Sequence, residues 1–266
     1  MSYYASSARD ALPWRQPERD GSFDPYKIMV SELMLQQTQV ARVIPKYEAF
    51  LVQFPTIAAL AAAELGAVLT AWQGLGYNRR AKYLWQAANV VMEQGGALPD
   101  TIDELVKLPG IGKNTAGAIM AYAYNQPVVY VETNIRTVVI YHFFADQQTV
   151  SDGEIAARMQ ALLEMSSEDA RTFYWALMDY GSHLKQTIGN LNKLSKTYVK
   201  QSKFHGSKRQ VRGGVLRLLS EGDKTLNMLS DLLPDERLVA VLDELVDEEM
   251  IYRHAQLYSM YRERSS

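Results

Sequence analysis

Apolar residues recur at three- and four-residue steps along most of this chain. Between residues 25 and 52, for example, they stand at Val30, Leu33, Met34 and Val40. This spacing is typical of helices that bury one face. Joints rich in Pro, Gly or Asp separate further segments of the same spacing, which are 56–72, 80–94, 101–108, 113–124, 132–144, 152–164 and 167–185. No alternating pattern typical of strands occurs before residue 250, so the predicted fold class is all-α.

The C-terminal part of the chain follows a different pattern. After Gly213, three short apolar segments precede the tyrosine-rich stretch IYRHAQLYSMY, which predicts three helices and a pair of strands in the order of a winged helix. Ten Asp and Glu stand between residues 221 and 250, against only Lys224 and Arg237. So many acids argue against a third helix in the DNA major groove, and a packing or partner-binding role is the alternative.

Composition narrows the possible functions. The 266 residues are 47% hydrophobic, enough for a sizeable core, and their formal net charge is −2, so a nucleic-acid surface must be a local patch. The absence of cysteine excludes disulfides, thiolate zinc sites and cysteine-ligated iron–sulfur clusters, and the four histidines lack ligand spacing. No signal peptide or membrane-spanning window is evident, so we expect a cytoplasmic protein without a membrane partner.

Positive charge accumulates in one segment. Between Gly181 and Ser220 there are nine Lys and Arg and not one Asp or Glu. Basic segments are often solvated linkers, but so long a stretch without a compensating acid favours contact with phosphates. The DNA-binding candidates within it are Lys203, Lys208 and Arg209.

The stretch LPGIGKNTAGAI at 108–119 is the most specific local pattern. Gly110 and Gly112 allow positive backbone angles and a close approach to another backbone. The backbone N–H groups that open the next helix, at Lys113, Asn114 and Thr115, can then hold a phosphate on the helix dipole. With the helix 101–108 before it, this stretch predicts a helix–hairpin–helix that contacts a DNA backbone. An ordinary glycine-containing helix turn is the alternative.

Two further stretches carry side chains suited to DNA. In SELMLQQTQV, Glu32 and Gln36 share a helix face. A solvated helix would explain Glu32 alone, but consecutive amides, Gln36 and Gln37, indicate groups that wedge into a duplex or hydrogen-bond bases. In GLGYNRRAKYL, Tyr77 can stack on a base. The basic residues that follow it are predicted to contact phosphates, and they are Arg79, Arg80 and Lys82.

A single acid, Glu132, ends the apolar run VVYV in QPVVYVETNI. A carboxylate placed there is costly unless it is paired or used. One interpretation is that Glu132 caps the N-terminus of a helix and has no part in catalysis. The other is that its carboxylate is catalytic. The two interpretations are compatible, since a catalytic carboxylate can also begin a helix.

Taken together, these stretches resemble a known family. FDPYKIMVSELMLQQTQVARVIPKYEAF, WQGLGYNRRAKYL, LPGIGKNTAGAI and VETNIRTV occur in the order and spacing of the helix–hairpin–helix (HhH-GPD) base-excision DNA glycosylases. The MutY-type adenine glycosylases are the most similar branch, and endonuclease III is a cousin. The resemblance covers about residues 10–183. It implies a two-lobed glycosylase fold with three domains, which are 23–118 with the hairpin, 1–22 together with 119–205, and the winged-helix-like 206–266.

The resemblance also implies roles for individual residues. Glu32 corresponds to the acid that protonates the excised adenine, and Glu132 to the family aspartate that stabilises the sugar cation. Gln36, Gln37 and Tyr77 correspond to residues that fill or wedge the opened duplex. The base-pocket positions are Leu12, Trp14, Arg15, Asn114 and Asn134. Asn114 stands where bifunctional relatives carry a Schiff-base lysine.

Three departures from the family pattern affect these expectations. Glu132 replaces an aspartate and adds one methylene. The four cysteines that ligate an iron–sulfur cluster are absent. The domain with which MutY-type enzymes recognise 8-oxoguanine has no counterpart in residues 206–266.

We therefore expect a monofunctional glycosylase that removes adenine opposite guanine or 8-oxoguanine, without β-lyase activity. Its expected partner is double-stranded DNA with a flipped base, and the chain is expected to be a monomer. No cofactor is expected, apart from a possible backbone-bound cation in the hairpin 108–113. The alternatives are a glycosylase for a deaminated or alkylated purine or a mismatched pyrimidine, and a non-catalytic protein that binds damaged DNA.

Overall fold

The computed structural model describes residues 2–200 and 203–262, and most of them are helical. The α-helices are α1 Ser2–Ser7, α2 Pro25–Leu35, α3 Val40–Gln53, α4 Ile57–Ala61, α5 Leu65–Ala71, α6 Arg79–Glu93, α7 Ile102–Leu105, α8 Lys113–Tyr122, α9 Thr133–Phe143, α10 Asp152–Met165, α11 Ala170–Thr187, α12 Lys208–Ser220, α13 Leu226–Leu232 and α14 Leu238–Asp247. Short 3-10 helices occur at Pro13–Arg15 and Leu191–Leu194. The strands are β1 Lys224–Thr225, β2 Tyr252–His254 and β3 Leu257–Ser259.

Helical periodicity continues across two turns that divide the predicted segments. The segment 25–52 is two helices, α2 and α3, separated by a turn in which Gln37 has a φ of 54°. The segment 56–72 is likewise divided into α4 and α5. Periodicity missed these turns because the apolar residues on both sides of each turn still point into the core.

The chain forms two compact units. The first comprises 1–32, 98–107 and 111–200, and the second comprises 33–97, 108–110 and 201–266. The compact units divide the chain at positions other than the domain boundaries predicted from the sequence. Those domain boundaries stay a prediction. The last four residues of the predicted domain 206–266 lie outside the described residues.

The core of the first unit is built around α9 and α11, which pack along each other. Helices α8 and α10 also pack against this pair. Gly181 allows the close approach, because a Cβ there would lie 2.2 Å from the backbone oxygen of Asn134. The fully buried side chains of this unit include those of Tyr174, Ile119 and Ile135.

The segment after α11 is held to the first unit by hydrogen bonds. The buried amide of Asn192 donates to the hydroxyl of Thr137 at 2.9 Å. Val150 and Ser195 form an isolated parallel bridge, and the Val150 N–H donates to the carbonyl of Leu194 at 2.8 Å. These contacts hold the residues after α11 to α9 and to the residues just before α10.

In the second unit, α4 and α5 pack on α6 around Trp72, Phe50 and Leu84. Helix α12 packs against both α5 and α14, which joins the C-terminal residues to the same core. Gly66 in α5 permits this packing, because a Cβ there would lie 2.5 Å from the backbone oxygen of Met260.

The C-terminal residues form three helices and an antiparallel sheet with the strand order β1-β3-β2. The strand β1, Lys224–Thr225, contradicts the expectation that no strand precedes residue 250. Two residues are too few to produce an alternating pattern, so periodicity could not reveal this strand. The winged-helix assignment itself stays a prediction.

In residues 2–200 and 203–262, none of the helices combines the length and the apolar character that crossing a bilayer would require.

Candidate active site

Glu32 is an acid with an unusually high proton affinity. It lies in α2 beside the fully buried side chains of Met29, Leu33 and Met34 and is itself half-buried. Burial, followed by the charge of Glu132, raises the pKa of Glu32 to about 8. Within the described residues its carboxyl group has no hydrogen-bond partner. Glu32 therefore carries a proton at neutral pH and is not engaged by the protein around it.

Glu132 is the N-cap of α9, as one interpretation of the sequence predicted. Its Oε2 accepts a hydrogen bond from the backbone N–H of Asn134 at 2.9 Å. The cap holds the carboxylate in one position, close enough to Glu32 for its charge to act there. The capping interpretation is therefore confirmed, and it leaves the second carboxylate oxygen available for another task.

Asn114 is tied to the segment that carries Glu132. Its Oδ1 accepts a long hydrogen bond, 3.4 Å, from the backbone N–H of Val131. Asn134 contributes its backbone to the Glu132 cap and to the close packing of Gly181. Both asparagines predicted for the base pocket thus lie next to Glu132.

Two tyrosines of the first unit form a buried pair near the acids. The hydroxyl of Tyr130 donates to the hydroxyl of Tyr122 at 2.9 Å. Burial, followed by the charge of Glu32, raises the pKa of Tyr122 far above its ordinary value. None of the described residues accepts the proton of Tyr122 itself. The site therefore holds a buried hydroxyl with an unused donor.

Leu12, Trp14 and Arg15 lie in or beside the 3-10 helix Pro13–Arg15, and all three are buried. Arg15 donates two hydrogen bonds of 2.8 Å to Asp179. Its guanidinium lies 5.1 Å from the ring centroid of Trp175. Arg15 therefore serves as an ion-pair anchor, and its predicted place beside a base stays a prediction.

Asp179 is the buried centre of this anchor. It also accepts hydrogen bonds from the backbone N–H of Arg9 at 2.9 Å and from its Nε at 2.6 Å. Burial opposes ionisation of Asp179, but the hydrogen bonds and charges of Arg15 and Arg9 outweigh it and lower the pKa. This anchor fixes the N-terminal segment against α11.

The hairpin before α8 has one strained glycine, not two. Gly110 has a φ of 77°, and a Cβ there would lie 2.6 Å from the Cβ of Tyr83. Gly112, by contrast, has a φ of −86° and ample space around it, so the expectation of a positive angle there is wrong. It is the N-cap of α8, and no side chain caps this end, which begins with the exposed Lys113.

The open N-terminus of α8 keeps the geometry that a phosphate site requires. Gly112 leaves space for an anion to approach the backbone, and Thr115, in the first turn, is half-buried. The predicted contact of this hairpin with DNA stays a prediction.

In the second unit, the two predicted wedge residues have unusual backbones. Gln37 has a φ of 54° and Tyr77 a φ of 49°, in the left-handed region that non-glycine residues seldom adopt. Gln36 precedes the first of these turns and is half-buried. Backbone strain held at such positions is a feature of functional sites, so the observation supports a role for both turns.

Arg80 holds the two strained turns together, and its predicted contact with phosphates is wrong. The side chain is buried, and its Nη1 donates to the carbonyls of Leu33 and Gln36 at 2.7 and 2.6 Å. Its Nη2 donates to the carbonyl of Gly76 at 2.9 Å. Since these acceptors fill its donors, Arg80 positions the turns around Gln37 and Tyr77 from behind.

Arg79 is paired with an acid of the C-terminal residues. Its guanidinium donates to both oxygens of Glu248, at 2.5 and 3.1 Å, and Arg212 donates to the same carboxylate at 2.6 Å. Burial opposes ionisation of Glu248, but hydrogen bonds from Arg79 and Arg212 outweigh it and lower the pKa to about 2. Lys82 donates to the backbone carbonyl of Glu248, and its predicted phosphate contact stays a prediction.

The predicted basic residues of the C-terminal part take different places. Lys203 is exposed, and Lys208 pairs with Glu244. The guanidinium of Arg209 lies 4.8 Å from the ring centroid of Tyr77 and donates to its hydroxyl. The acids that argued against a groove-binding helix thus act in packing, since Glu244 and Glu248 bind arginines and lysines of the second unit.

The side chains do not supply the thiolate donors of an iron–sulfur cluster. An iron–sulfur cluster requires cysteine thiolates, and the sequence has none. Across residues 2–200 and 203–262, no group of three or more acids or histidines is placed to hold a metal ion.

Sequence reasoning missed three residues that shape the site. Asp179, Tyr122 and Gly181 all lie in ordinary helical patterns, so periodicity gave no reason to single them out. Arg15 stands among apolar residues in LPWR, which indicates that it needs an acid partner. That partner, Asp179, lies 164 residues away in the sequence.

Comparison with known proteins identifies the family of this chain. The family model "HhH-GPD superfamily base excision DNA repair protein" matches residues 30–165. An adenine DNA glycosylase of Mycobacterium tuberculosis (strain CDC 1551 / Oshkosh) is 42% identical over 185 residues, 68% of this chain and 59% of that protein. An adenine DNA glycosylase of Buchnera aphidicola subsp. Baizongia pistaciae (strain Bp) is 33% identical over 213 residues, 77% of this chain and 58% of that protein.

A solved structure supports the same fold. A thermostable thymine-DNA glycosylase is similar with a TM-score of 0.57 at 24% identity, over 68% of this chain and 82% of that one. At this identity the likeness concerns the fold alone. The chain matches less than two thirds of the length of the curated relatives named above. The predicted helical glycosylase fold and the predicted family are confirmed: the chain belongs to the HhH-GPD superfamily of base excision DNA repair proteins.

Proposed function

We propose that this chain is a monofunctional DNA glycosylase that removes adenine paired with guanine or 8-oxoguanine. One observation carries the proposal: the half-buried Glu32 has a pKa of about 8 and lies under the influence of a second carboxylate, Glu132. Hydrolysis of an N-glycosidic bond uses two carboxyl groups in different protonation states. The relatives named above are adenine DNA glycosylases, which supports adenine as the base.

In this mechanism, the Glu32 carboxyl donates its proton to a ring nitrogen of the flipped adenine. The bond between the base and C1′ of the sugar breaks, and its electron pair leaves with the protonated base. The sugar remains as an oxocarbenium ion. Because Glu32 is protonated at neutral pH, the acid needs no further activation before the base arrives.

Glu132 stabilises the cation that this step creates. Its carboxylate is held by the backbone N–H of Asn134, so its charge is in place before the reaction begins. Water then adds to C1′, and the proton that it releases returns, directly or through solvent, to Glu32. With Asn114 in the position of the Schiff-base lysine, no amine attacks C1′, and no β-lyase step follows.

Double-stranded DNA is the proposed partner of both units. The open N-terminus of α8 would hold a backbone phosphate, and Gln37 and Tyr77 would fill the duplex from which the base has left. The proposal includes a monomer that works in the cytoplasm without a cofactor. A cation held by backbone carbonyls of the hairpin 108–113 remains compatible with it.

A panel of duplexes tests the proposal. Each duplex carries one mismatch or one lesion, and strand cleavage is measured with and without alkali after incubation with the purified protein. We expect cleavage of the adenine strand opposite guanine and 8-oxoguanine, and only after alkali. Cleavage without alkali would overturn the monofunctional assignment.

The matched variants are Glu32→Gln and Glu93→Gln. The first removes the proposed acid, and the second removes an exposed carboxyl at the end of α6. Glu32→Gln should abolish turnover and retain DNA binding, whereas Glu93→Gln should behave like the unaltered protein. Tight binding without an abasic product from any duplex would support the non-catalytic alternative.

A shifted specificity is the second candidate, and the length of Glu132 favours it. A side chain one methylene longer than aspartate extends further from the backbone, which alters the space beside the sugar. The same panel distinguishes this candidate, because excision of a deaminated or alkylated purine or of a mismatched pyrimidine in preference to adenine would establish it.

A further inference from the structure

A groove in the second unit extends well beyond Gln37 and Tyr77, the two of its lining residues that the proposed function uses. Its volume is about 720 Å³. It is lined by the turn at Gln37, the glycine-containing loop 74–78, α12 and Phe204. The active-site acids Glu32 and Glu132 are not among its lining residues.

The groove is strongly basic. Four arginines line it, and none of the described residues in its lining is an acid. Two of them, Arg212 and Arg217, pair with acids outside the groove, Glu248 at 2.6 Å and Glu221 at 3.1 Å. The other two are Arg42 and Arg209. Arg42 is exposed, and no described acid forms an ion pair with it.

A side-chain amide in the wall has unused hydrogen-bonding capacity. The Nε2 of Gln73 is buried, and the described part of the chain offers it no hydrogen-bond acceptor. A buried donor without an acceptor destabilises the protein, so a small movement of this side chain that lets the amide meet a ligand would be favourable. Gln37, Gln39 and Gln210 bring further amides to the groove. Side-chain amides are suited to the edges of nucleic-acid bases.

Aromatic rings complete the set of contacts. Phe204 lines the groove with 52% of its surface exposed, which is unusual for so large an apolar side chain. Tyr77 lines it from the strained loop. The guanidinium of Arg209 lies over the half-buried ring of Tyr77, so Phe204 is the ring that is free to stack. An exposed ring beside arginines is typical of surfaces on which unpaired bases stack.

We propose that this groove binds a stretch of unpaired DNA strand. The arginines contact phosphates, Phe204 stacks on a base, and the Gln73 amide hydrogen-bonds to a base edge. An acidic peptide would satisfy the arginines but would leave the aromatic ring and the amide unused. The inference rests on the proposed function, because excision requires an opened duplex in which some nucleotides are unpaired.

The groove also assigns a task to the C-terminal residues. Helix α12 supplies Arg209, Arg212 and Arg217, while the segment 33–97 supplies Arg42 and Gln73. Neither part forms the groove alone. The C-terminal residues therefore extend the DNA-binding surface of the lobe that they pack against, and they do so without inserting a helix into the major groove.

Fluorescence anisotropy with a labelled single-stranded oligonucleotide tests the proposal. Three variants probe the three kinds of contact, Arg42→Ala, Gln73→Met and Phe204→Ala. The control is Arg253→Ala, which removes an exposed arginine of the same C-terminal part outside the groove. We expect Arg42→Ala and Phe204→Ala to weaken binding by about tenfold, and Arg253→Ala to leave it unchanged.

Salt dependence identifies the phosphate contact. For a single strand, loss of one such contact lowers the slope of log K against log salt by about 0.7. We expect this change for Arg42→Ala and not for Gln73→Met, which should weaken binding with an unchanged slope. Binding of the oligonucleotide with the same affinity by all four variants would overturn the proposal.

The outcome is separable from that of the proposed function. Excision of adenine from a duplex by the unaltered protein, with full single-strand affinity in every groove variant, would overturn the groove alone. Loss of single-strand affinity in the groove variants, together with no excision by the unaltered protein, would overturn the catalytic function and leave the groove established.

Discussion

Glu132 acts on Glu32 through its charge. The pKa of Glu32 is raised to about 8, mainly by burial and secondly by the nearby Glu132 carboxylate. Glu132 is itself fixed by a hydrogen bond of 2.9 Å from the backbone N–H of Asn134. The same carboxyl group that is proposed to stabilise a sugar cation therefore also adds to the proton affinity of Glu32.

The pH dependence of excision follows from this relationship. Glu32 must carry its proton to donate it, so kcat/KM should be level below about pH 7 and should fall about tenfold per pH unit above about pH 8. Glu132→Gln removes the negative neighbour, which should move the break in the residual activity to lower pH. Single-turnover rates across this range measure both effects. A rate that rises through pH 8 would contradict the assignment of the acid.

Stability should respond to pH through the same group. Because the folded pKa of Glu32 is raised from 4.5 to about 8, the stabilising proton is fully bound below the unfolded pKa and is lost as the pH rises through the folded one. Between these values the free energy of unfolding should fall with pH by at most about 1.4 kcal/mol per unit from this group.

Glu32→Gln cannot ionise and should escape this loss. Compared with the unaltered protein, the variant should gain stability as the pH rises from 5 to 8, which urea unfolding at each pH measures. A constant difference between the two proteins over this range would show that the proton affinity of Glu32 is ordinary.

The length of Glu132 predicts the result of Glu132→Asp. Aspartate is a good N-cap, so α9 should be retained and the free energy of unfolding should change by less than about 1 kcal/mol. The carboxylate, however, would lie about an ångström closer to the backbone, and displacement of that size reduces rates by about 10- to 100-fold.

Paired measurements of thermal unfolding and single-turnover excision separate the two effects for Glu132→Asp. A faster variant would mean that the shorter side chain fits this pocket better. That result would support the same placement of the carboxylate as in the aspartate-bearing relatives.

The anchor between Arg15 and Asp179 predicts a large effect on stability. Asp179→Asn keeps the shape of the side chain but leaves the buried Arg15 without its ionic partner, which should cost about 3–5 kcal/mol. Thermal or urea unfolding measures this loss. The matched control is Glu18→Gln, since Glu18 pairs with Lys27 where both side chains are about one third exposed, and it should change stability by less than about 1 kcal/mol. Equal losses in the two variants would contradict the anchor.

The sequence predicted those parts of the site that lie in continuous stretches. Glu32, Glu132 and the hairpin at 108–113 each stand in a local pattern with a local physical reason, such as an acid that ends an apolar run. Contacts between residues far apart in the sequence could not be predicted from local patterns. Nothing near Arg15 indicates Asp179, because the two meet only after α11 has packed beside the N-terminal segment.

The sequence also could not distinguish the roles of two neighbouring residues of the same type. Arg79 and Arg80 are adjacent and chemically equal in the sequence, yet one is exposed and paired with Glu248 while the other is buried among backbone carbonyls. Whether each side chain is buried or exposed depends on the direction in which it points from the first turn of α6. Burial lowers the pKa of Arg80 to about 10 and outweighs the charge of Tyr77, which acts in the opposite direction. Only tertiary packing produces such a shift.

The unused proton of Tyr122 predicts one more contributor to excision. Its hydroxyl accepts a hydrogen bond from Tyr130 and feels the charges of Glu32 and Glu132, so its own proton is available to an acceptor in the pocket. Tyr122→Phe keeps the ring that stacks on Trp175 and removes only the hydroxyl. The change also leaves the buried hydroxyl of Tyr130 without its acceptor, which should cost about 1–3 kcal/mol of stability. If Tyr122 donates to the substrate, excision at a temperature where the variant stays folded should slow by about tenfold.

Substrate analogues identify the acceptor of that proton. Adenines in which one ring nitrogen is replaced by carbon should be excised more slowly by the unaltered protein, and Tyr122→Phe should add no further loss for the analogue that lacks the acceptor nitrogen. Single-turnover rates for both proteins on each analogue complete the cycle. If the rate reductions from the substitution and from each analogue simply multiply, Tyr122 makes no contact with the base. It would then position the Glu32 carboxyl, and Tyr122→Phe should move the pH at which excision declines.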